Sequence, residues 1–172
     1  PWNWRGWWNY GTGALGDMAC HILHPVFEGL KLGYPTKAQG SSTLLLNDCA
    51  PSAQAVKMTF PERDKVGKAK MPEVEVSWFD GGIKPMLPEN WPAGKNPNKR
   101  GGGTFFYGTK DILHVGCYGV QPELLSGKKP DVKETERRVP GGSGGHEADW
   151  IRACKESPEN RVPCTSDFVE AG

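Results

Sequence analysis

The sequence has no long apolar run. Its longest, Leu44 to Leu46 with its neighbours, falls far short of the roughly 20 residues that a membrane-crossing helix needs, and no charged-then-apolar leader opens it. No membrane span is expected, and the chain reads as soluble. An excess of charge of one sign is also missing: Lys plus Arg number 21 against 20 Asp plus Glu, so no long-range field favours nucleic acid or an anionic membrane. Paired cysteine motifs are absent. The five cysteines, Cys20, Cys49, Cys117, Cys154 and Cys164, are scattered, without C-x-x-C spacing, and their odd number suits reduced, buried thiols better than a disulfide framework. One disulfide in an exported protein is the alternative. There is no internal repeat. An initiating methionine and polar tails are also missing, from which the chain is expected to be part of a longer polypeptide. Its 172 residues suffice for one domain with an ordinary core, and one domain over 1–172 is expected.

What is present is concentrated near the start. Trp4, Arg5, Trp7, Trp8 and Tyr10 precede Gly11-Thr12-Gly13, and the next turns carry Asp17, His21 and His24. The first segment holds too much glycine and aromatic surface for a helix and reads as an extended loop. From Ala14, the apolar residues Leu15, Met18, Ala19, Ile22, Val26, Phe27 and Leu30 recur at intervals of three and four, which predicts one amphipathic helix to about Leu32. Gly33 supplies its stop, and Pro25 kinks it against the carbonyl of His21.

Beyond Pro35 the character changes to short runs of branched and aromatic residues. Strands are predicted over Lys37 to Leu46, Gln54 to Phe60, Val74 to Phe79, Thr104 to Gly108 and Asp111 to Cys117, with Gly108-Thr109-Lys110-Asp111 as a tight hairpin. Lys84 to Gly103 reads as a long loop, a kind of segment that is usually functional or mobile. Gly141 to Gly145 forms a flexible link to a last helix from about His146 to Lys155, and the remainder to Gly172 reads as irregular. The fold class that follows is α+β, an open and mainly antiparallel sheet with helices packed on one face.

Asp17 and His21 lie four residues apart, one turn along the same helix face. A carboxylate beside an imidazole fixes its tautomer and raises its basicity, which suits a general base acting on a hydroxyl group. The competing reading is an ordinary surface or capping pair. His24 would complete Asp-x-x-x-His-x-x-His, but the protease pattern H-E-x-x-H is absent and no second ligand cluster stands out, so a metal site is not expected. Gly11-Thr12-Gly13-Ala14-Leu15-Gly16 imitates a dinucleotide fingerprint without the strand that should precede it, and reads instead as close backbone approach at a helix start. Trp4, Trp7, Trp8 and Tyr10 either stack on a sugar ring or pack the loop, packing being the safer reading for most of them. Arg5 either holds a substrate or pairs structurally. His114 and His146 have no local partners that lift them above core or capping roles.

The run Asn3 to His21 resembles the start of the C-terminal domain of glucose-fructose oxidoreductase/inositol dehydrogenase (Gfo/Idh/MocA) proteins, especially a tryptophan-rich bacterial branch. The Gly108-Thr109-Lys110-Asp111 hairpin and the His146-Glu147-Ala148-Asp149-Trp150-Ile151 helix resemble it in order and spacing, so that the resemblance extends over nearly the whole chain. The resemblance implies a substrate-binding and oligomerisation domain whose N-terminal Rossmann partner, carrying NAD or NADP and a catalytic lysine, lies outside this sequence. It implies His21 as acid/base at a sugar or polyol hydroxyl, Asp17 as its orienting partner, and Arg5, Trp8, Tyr10, Thr12 and His24 on the substrate side. It further implies self-association through the sheet face, and a cytoplasmic location, or a periplasmic one if an export signal precedes the Rossmann domain. By itself the chain is expected to be catalytically silent. An NAD-dependent glycoside hydrolase of the same superfamily and a non-catalytic sugar-binding or assembly module are the alternatives.

Overall fold

The apolar spacing after Gly13 produces two helices in place of the single one expected. In the computed structural model, which describes residues 3–98, 101–129, 132 and 145–165, α1 spans Gly13–Ile22 and α2 spans His24–Leu30. Pro25 is the cause of the break: it has no amide hydrogen for the carbonyl of His21, and its ring suits only the first turn of a new helix. Leu23 joins the two, donating its amide to Ala19 and accepting from Phe27, each at 2.8 Å. The stop also differs from the expected one. Lys31, not Gly33, takes the left-handed conformation (φ 49°, ψ 49°), and the Leu32 amide returns to the carbonyl of Phe27 at 3.0 Å. Burial of Leu32 in the core accounts for the early turn, since it brings that side chain back under α2.

Val26, Leu32 and Phe60 are the buried centre of this core, with Phe27, Leu30, Met58, Val74, Val76 and Phe106 packed around them. The helix α2 therefore covers one face of an antiparallel sheet built from β1 (Lys37–Ser42), β2 (Gln54–Phe60) and β5 (Val74–Phe79), in the order β1-β2-β5. Period-two alternation sorts the faces. Met58 opposite Val76 and Phe60 opposite Val74 point to α2, while Lys57 opposite Ser77 points away and pairs with Glu75 at 2.6 Å.

The first strand ends at Ser42, four residues short of the expected Leu46. Thr43 donates its amide to Ala53 at 3.0 Å and its hydroxyl meets that of Ser52 at 3.1 Å, which turns the chain out of the sheet. Leu44, Leu45 and Leu46 are then exposed. A further hairpin, β3 (Arg63–Val66) and β4 (Ala69–Met71), joins β2 to β5. Its charged residues disguised it, since Arg63, Asp64 and Lys65 lack strand character, and its turn rests on Gly67 at φ 59°.

A second sheet contains β6 (Gly103–Tyr107), β7 (Ile112–Gly116) and the two-residue β8 (Glu123–Leu124), in the order β6-β7-β8. Asp111, expected as the first residue of the last of the five strands, lies just before β7, its carboxylate engaged by the amides of Ile112 at 2.8 Å and Ser126 at 3.3 Å. The five strands expected in one sheet are thus eight in three antiparallel groups among the described residues. The class is α+β with open antiparallel sheets.

The chain divides into two units, Pro1–Lys129 and Pro130–Gly172. In the smaller, α3 spans Gly145–Lys155, where a helix was expected, and its Arg152 bonds Asp149 at 3.0 Å and Glu156 at 2.6 Å. The segment after the helix folds back onto the same carboxylates: Thr165 donates its amide to Asp149 at 2.8 Å and Val162 to Glu156 at 2.9 Å. Of the expected link Gly141 to Gly145, Gly145 already belongs to α3, while 141–144 and the segment 166–172 lie outside the described residues. No helix among those described is long and apolar enough to cross a membrane.

Candidate active site

Glycine allows the aromatic loop to lie on α1. A side chain at Gly11 would meet the Arg5 carbonyl oxygen at 2.5 Å, and one at Gly16 would meet Thr12. Gly13 has φ 75° and faces Ala50, whose side chain would be 2.7 Å from an added Cβ. The space that these glycines create is filled by the protein itself. The segment before them is a 3-10 turn, Trp4–Gly6, and not a strand. The residues present therefore do not fit a pyrophosphate, which requires a glycine turn left open between a strand and a helix.

The loop is held from two sides. Trp8 donates its amide to Asp48 at 2.9 Å, Ala50 donates to Gly6 at 2.7 Å, and Trp7 bridges to Cys49. On the other side the Arg5 guanidinium donates from Nη1 to the Asp17 carboxylate and ties the 3-10 turn to α1. With both side chains 43% exposed, this pair stabilises the fold by less than about 1 kcal/mol; its effect is to fix where Arg5 stands.

Asp17 and His21 share a helix face as their spacing predicts, but no hydrogen bond joins them. The carboxylate lies on Arg5, where a charged fork donor outcompetes an imidazole one turn away. His21 is exposed and meets instead the ring of Tyr118, edge-on, with centroids 5.0 Å apart and planes at 60°. Packing was expected for most of the four aromatics, yet Trp4, Trp7, Trp8 and Tyr10 are all exposed, Tyr10 most at 70%, so each keeps part of its surface toward solvent. Thr12 precedes α1 without capping it through its side chain, and exposed His24 opens α2 with no hydrogen bond or ring contact to the other residues of the group. Of the expected set, the structure brings Arg5 and Asp17 together, keeps His21 one turn from them, and leaves His24 apart.

A second constellation was not apparent in the sequence. His114 on β7 is buried, with Nδ1 3.1 Å from Glu123 Oε1 on β8 and Nε2 3.1 Å from the carbonyl of Pro97. A carbonyl only accepts, so Nε2 carries a proton. Lys95 bonds the other oxygen of Glu123 at 2.6 Å and lies 5.0 Å from the centre of the Trp91 ring. Trp91 and Phe105 each set a ring 4.9 Å from the imidazole. Lys95, and after it the hydrogen bond to His114, hold the Glu123 carboxyl below its usual range. Lys95, His114 and Glu123, with Asn96, Gly116, Val120 and Gln121, line a cavity of about 270 Å³. Only the aromatic and cationic content of the loop around Trp91 and Lys95 hinted that it would fold onto something. Among the described residues no three His, Cys, Asp or Glu side chains converge in a metal-binding group.

Compared with known proteins, the chain matches no family model and no curated sequence.

Proposed function

We propose that this chain is the substrate-binding part of an NAD(P)-dependent oxidoreductase acting on a CH–OH group of a sugar or polyol. The observation that carries the reading is the setting of His21: exposed on α1, without a hydrogen-bond partner among the described residues, and one turn from an Asp17 that positions Arg5. An imidazole nitrogen that is not engaged elsewhere is able to take the proton of an alcohol as the carbon is oxidised. The nicotinamide, which in this reading is held by a separate Rossmann domain, supplies the hydride acceptor. What these residues do is bind and move a proton. Arg5 offers its remaining guanidinium donors to substrate oxygens, Trp8 and Tyr10 offer ring faces to a sugar, and His21 holds the proton at a ring nitrogen until solvent removes it. In this reading Asp17 acts through Arg5, whose guanidinium it holds, rather than by fixing the His21 tautomer. Self-association through the sheet is also part of the reading. The outward face on which it would rest is polar, with Gln39, Lys57 and Ser77 in one cross-strand row.

The test is His21→Ala in the intact polypeptide that carries this chain, followed by NAD(P)H formation over a panel of aldoses and polyols. Turnover is expected to fall by about a hundredfold or more, the usual contribution of a general base, with the fold intact. Unchanged turnover would sink the reading. NAD-linked turnover by the 172 residues alone would sink it as well, and sugar release without net NADH would redirect it to the glycoside hydrolase class. The engagement of Asp17 with Arg5 favours a second reading, a non-catalytic sugar-binding module, in which the Trp8 and Tyr10 rings bind carbohydrate and His21 is dispensable.

A further inference from the structure

Between β7 and β8 the chain makes a closed turn. Gly116 donates its amide to Val120 at 2.8 Å, Cys117 donates to Gly102 at 3.1 Å, and the Cys117 side chain is fully buried. Gly119 lies so near α2 that an added Cβ would stand 3.4 Å from Pro25. Anchored at these points, the turn forces Tyr118 into the left-handed region, φ 63° and ψ 20°, which a bulky side chain adopts only at a cost. The residue so strained is not buried. Its side chain is largely exposed, its hydroxyl has no protein partner among the described residues, and its ring makes the edge contact with His21. Glycine or asparagine would satisfy this backbone with less strain, so the tyrosine is not there to stabilise the turn.

From this geometry we infer that Tyr118 is a positioning residue for His21: its ring restricts the imidazole to one orientation on the exposed face of α1. The inference rests on the reading of His21 as the acid/base. The contact is made by the ring alone, so Tyr118→Phe preserves it, whereas Tyr118→Gly removes it while relieving the backbone.

The test has two arms. In the 172-residue chain, His21 ring resonances are followed by NMR. They keep their positions in Tyr118→Phe and move to those of a solvent-averaged imidazole in Tyr118→Gly, with Tyr118→Asn as a second left-handed variant should the glycine chain not fold. In the intact polypeptide, Tyr118→Gly lowers kcat by on the order of tenfold or more through misorientation, with KM changed less than about twofold, and Tyr118→Phe restores it. His21 resonances that are the same in Tyr118→Gly and the parent chain overturn the inference, as does a phenylalanine variant as impaired as the glycine one. Failure of the catalytic reading is distinguishable, because it shows as His21→Ala turnover equal to the parent while the resonances still report the ring contact.

Discussion

The larger unit holds two histidine environments that are opposites. His21 stands on the exposed face of a helix with a single ring at its edge, whereas His114 is 7% exposed, has partners on both nitrogens and is flanked by Trp91 and Phe105. The difference lies in how hydrogen-bonding capacity is spent. His114 uses all of it to fasten the loop carrying Trp91, Lys95 and Pro97 to β7 and β8, so its chemistry is structural. His21 forms no hydrogen bond among the described residues, which is what the proposed acid/base role requires of it.

The comparison breaks first on stability. His114→Ala is expected to cost about 2–4 kcal/mol in denaturant unfolding, because it leaves a cavity between two aromatic rings and strands the partners of both nitrogens. His21→Ala is expected to stay within about 0.5 kcal/mol of the parent, as exposed substitutions do. Equal costs at the two positions would show that the distinction is false.

Acid sharpens it at a smaller scale. The Glu123 carboxyl is held below its ordinary value near 4.5, chiefly by Lys95. A carboxyl depressed in the folded state binds its proton more readily in the unfolded chain, so its contribution is present above the unfolded value and disappears as pH falls through the folded one. Loosening of the Trp91 loop, followed by tryptophan fluorescence, should therefore begin as pH drops below about 4.5. Glu123→Gln should flatten that dependence, and an unchanged acid limb in this variant would remove Glu123 from the clamp. The smallest effect is expected at the exposed pair. A double-mutant cycle on Arg5→Ala and Asp17→Ala should give a coupling under about 1 kcal/mol that fades with added salt, and a larger, salt-resistant coupling would place the pair in a drier setting than the structure shows.

The residues that made the first site legible are close in sequence. Helical spacing alone puts Asp17 and His21 on one face, and the glycines at 11, 13 and 16 announced the close approach of loop and helix. What spacing does not contain is competition from outside the helix. Arg5, 12 residues before Asp17, takes the carboxylate, and Tyr118, from another element, takes the edge of the imidazole. The strands were read where apolar alternation is strong, as in Gln54–Phe60 and Val74–Phe79, which are found as expected. They were misread where it misleads. Leu44 to Leu46 are apolar yet outside the sheet, and Arg63–Val66 is charged yet within a hairpin.

By itself the sequence determined the α+β class, the extents of β2 and β5, the helical face of Asp17 and His21, and a distortion at Pro25, because each follows from backbone sterics or a short-range period. The tertiary structure alone decided the partition into three strand groups, the meeting of His114 with Glu123 and Pro97, the allegiance of Asp17 to Arg5, and the placement of Tyr118 against His21. These depend on which distant groups arrive at one point, where a buried polar atom must find a partner and an exposed one need not.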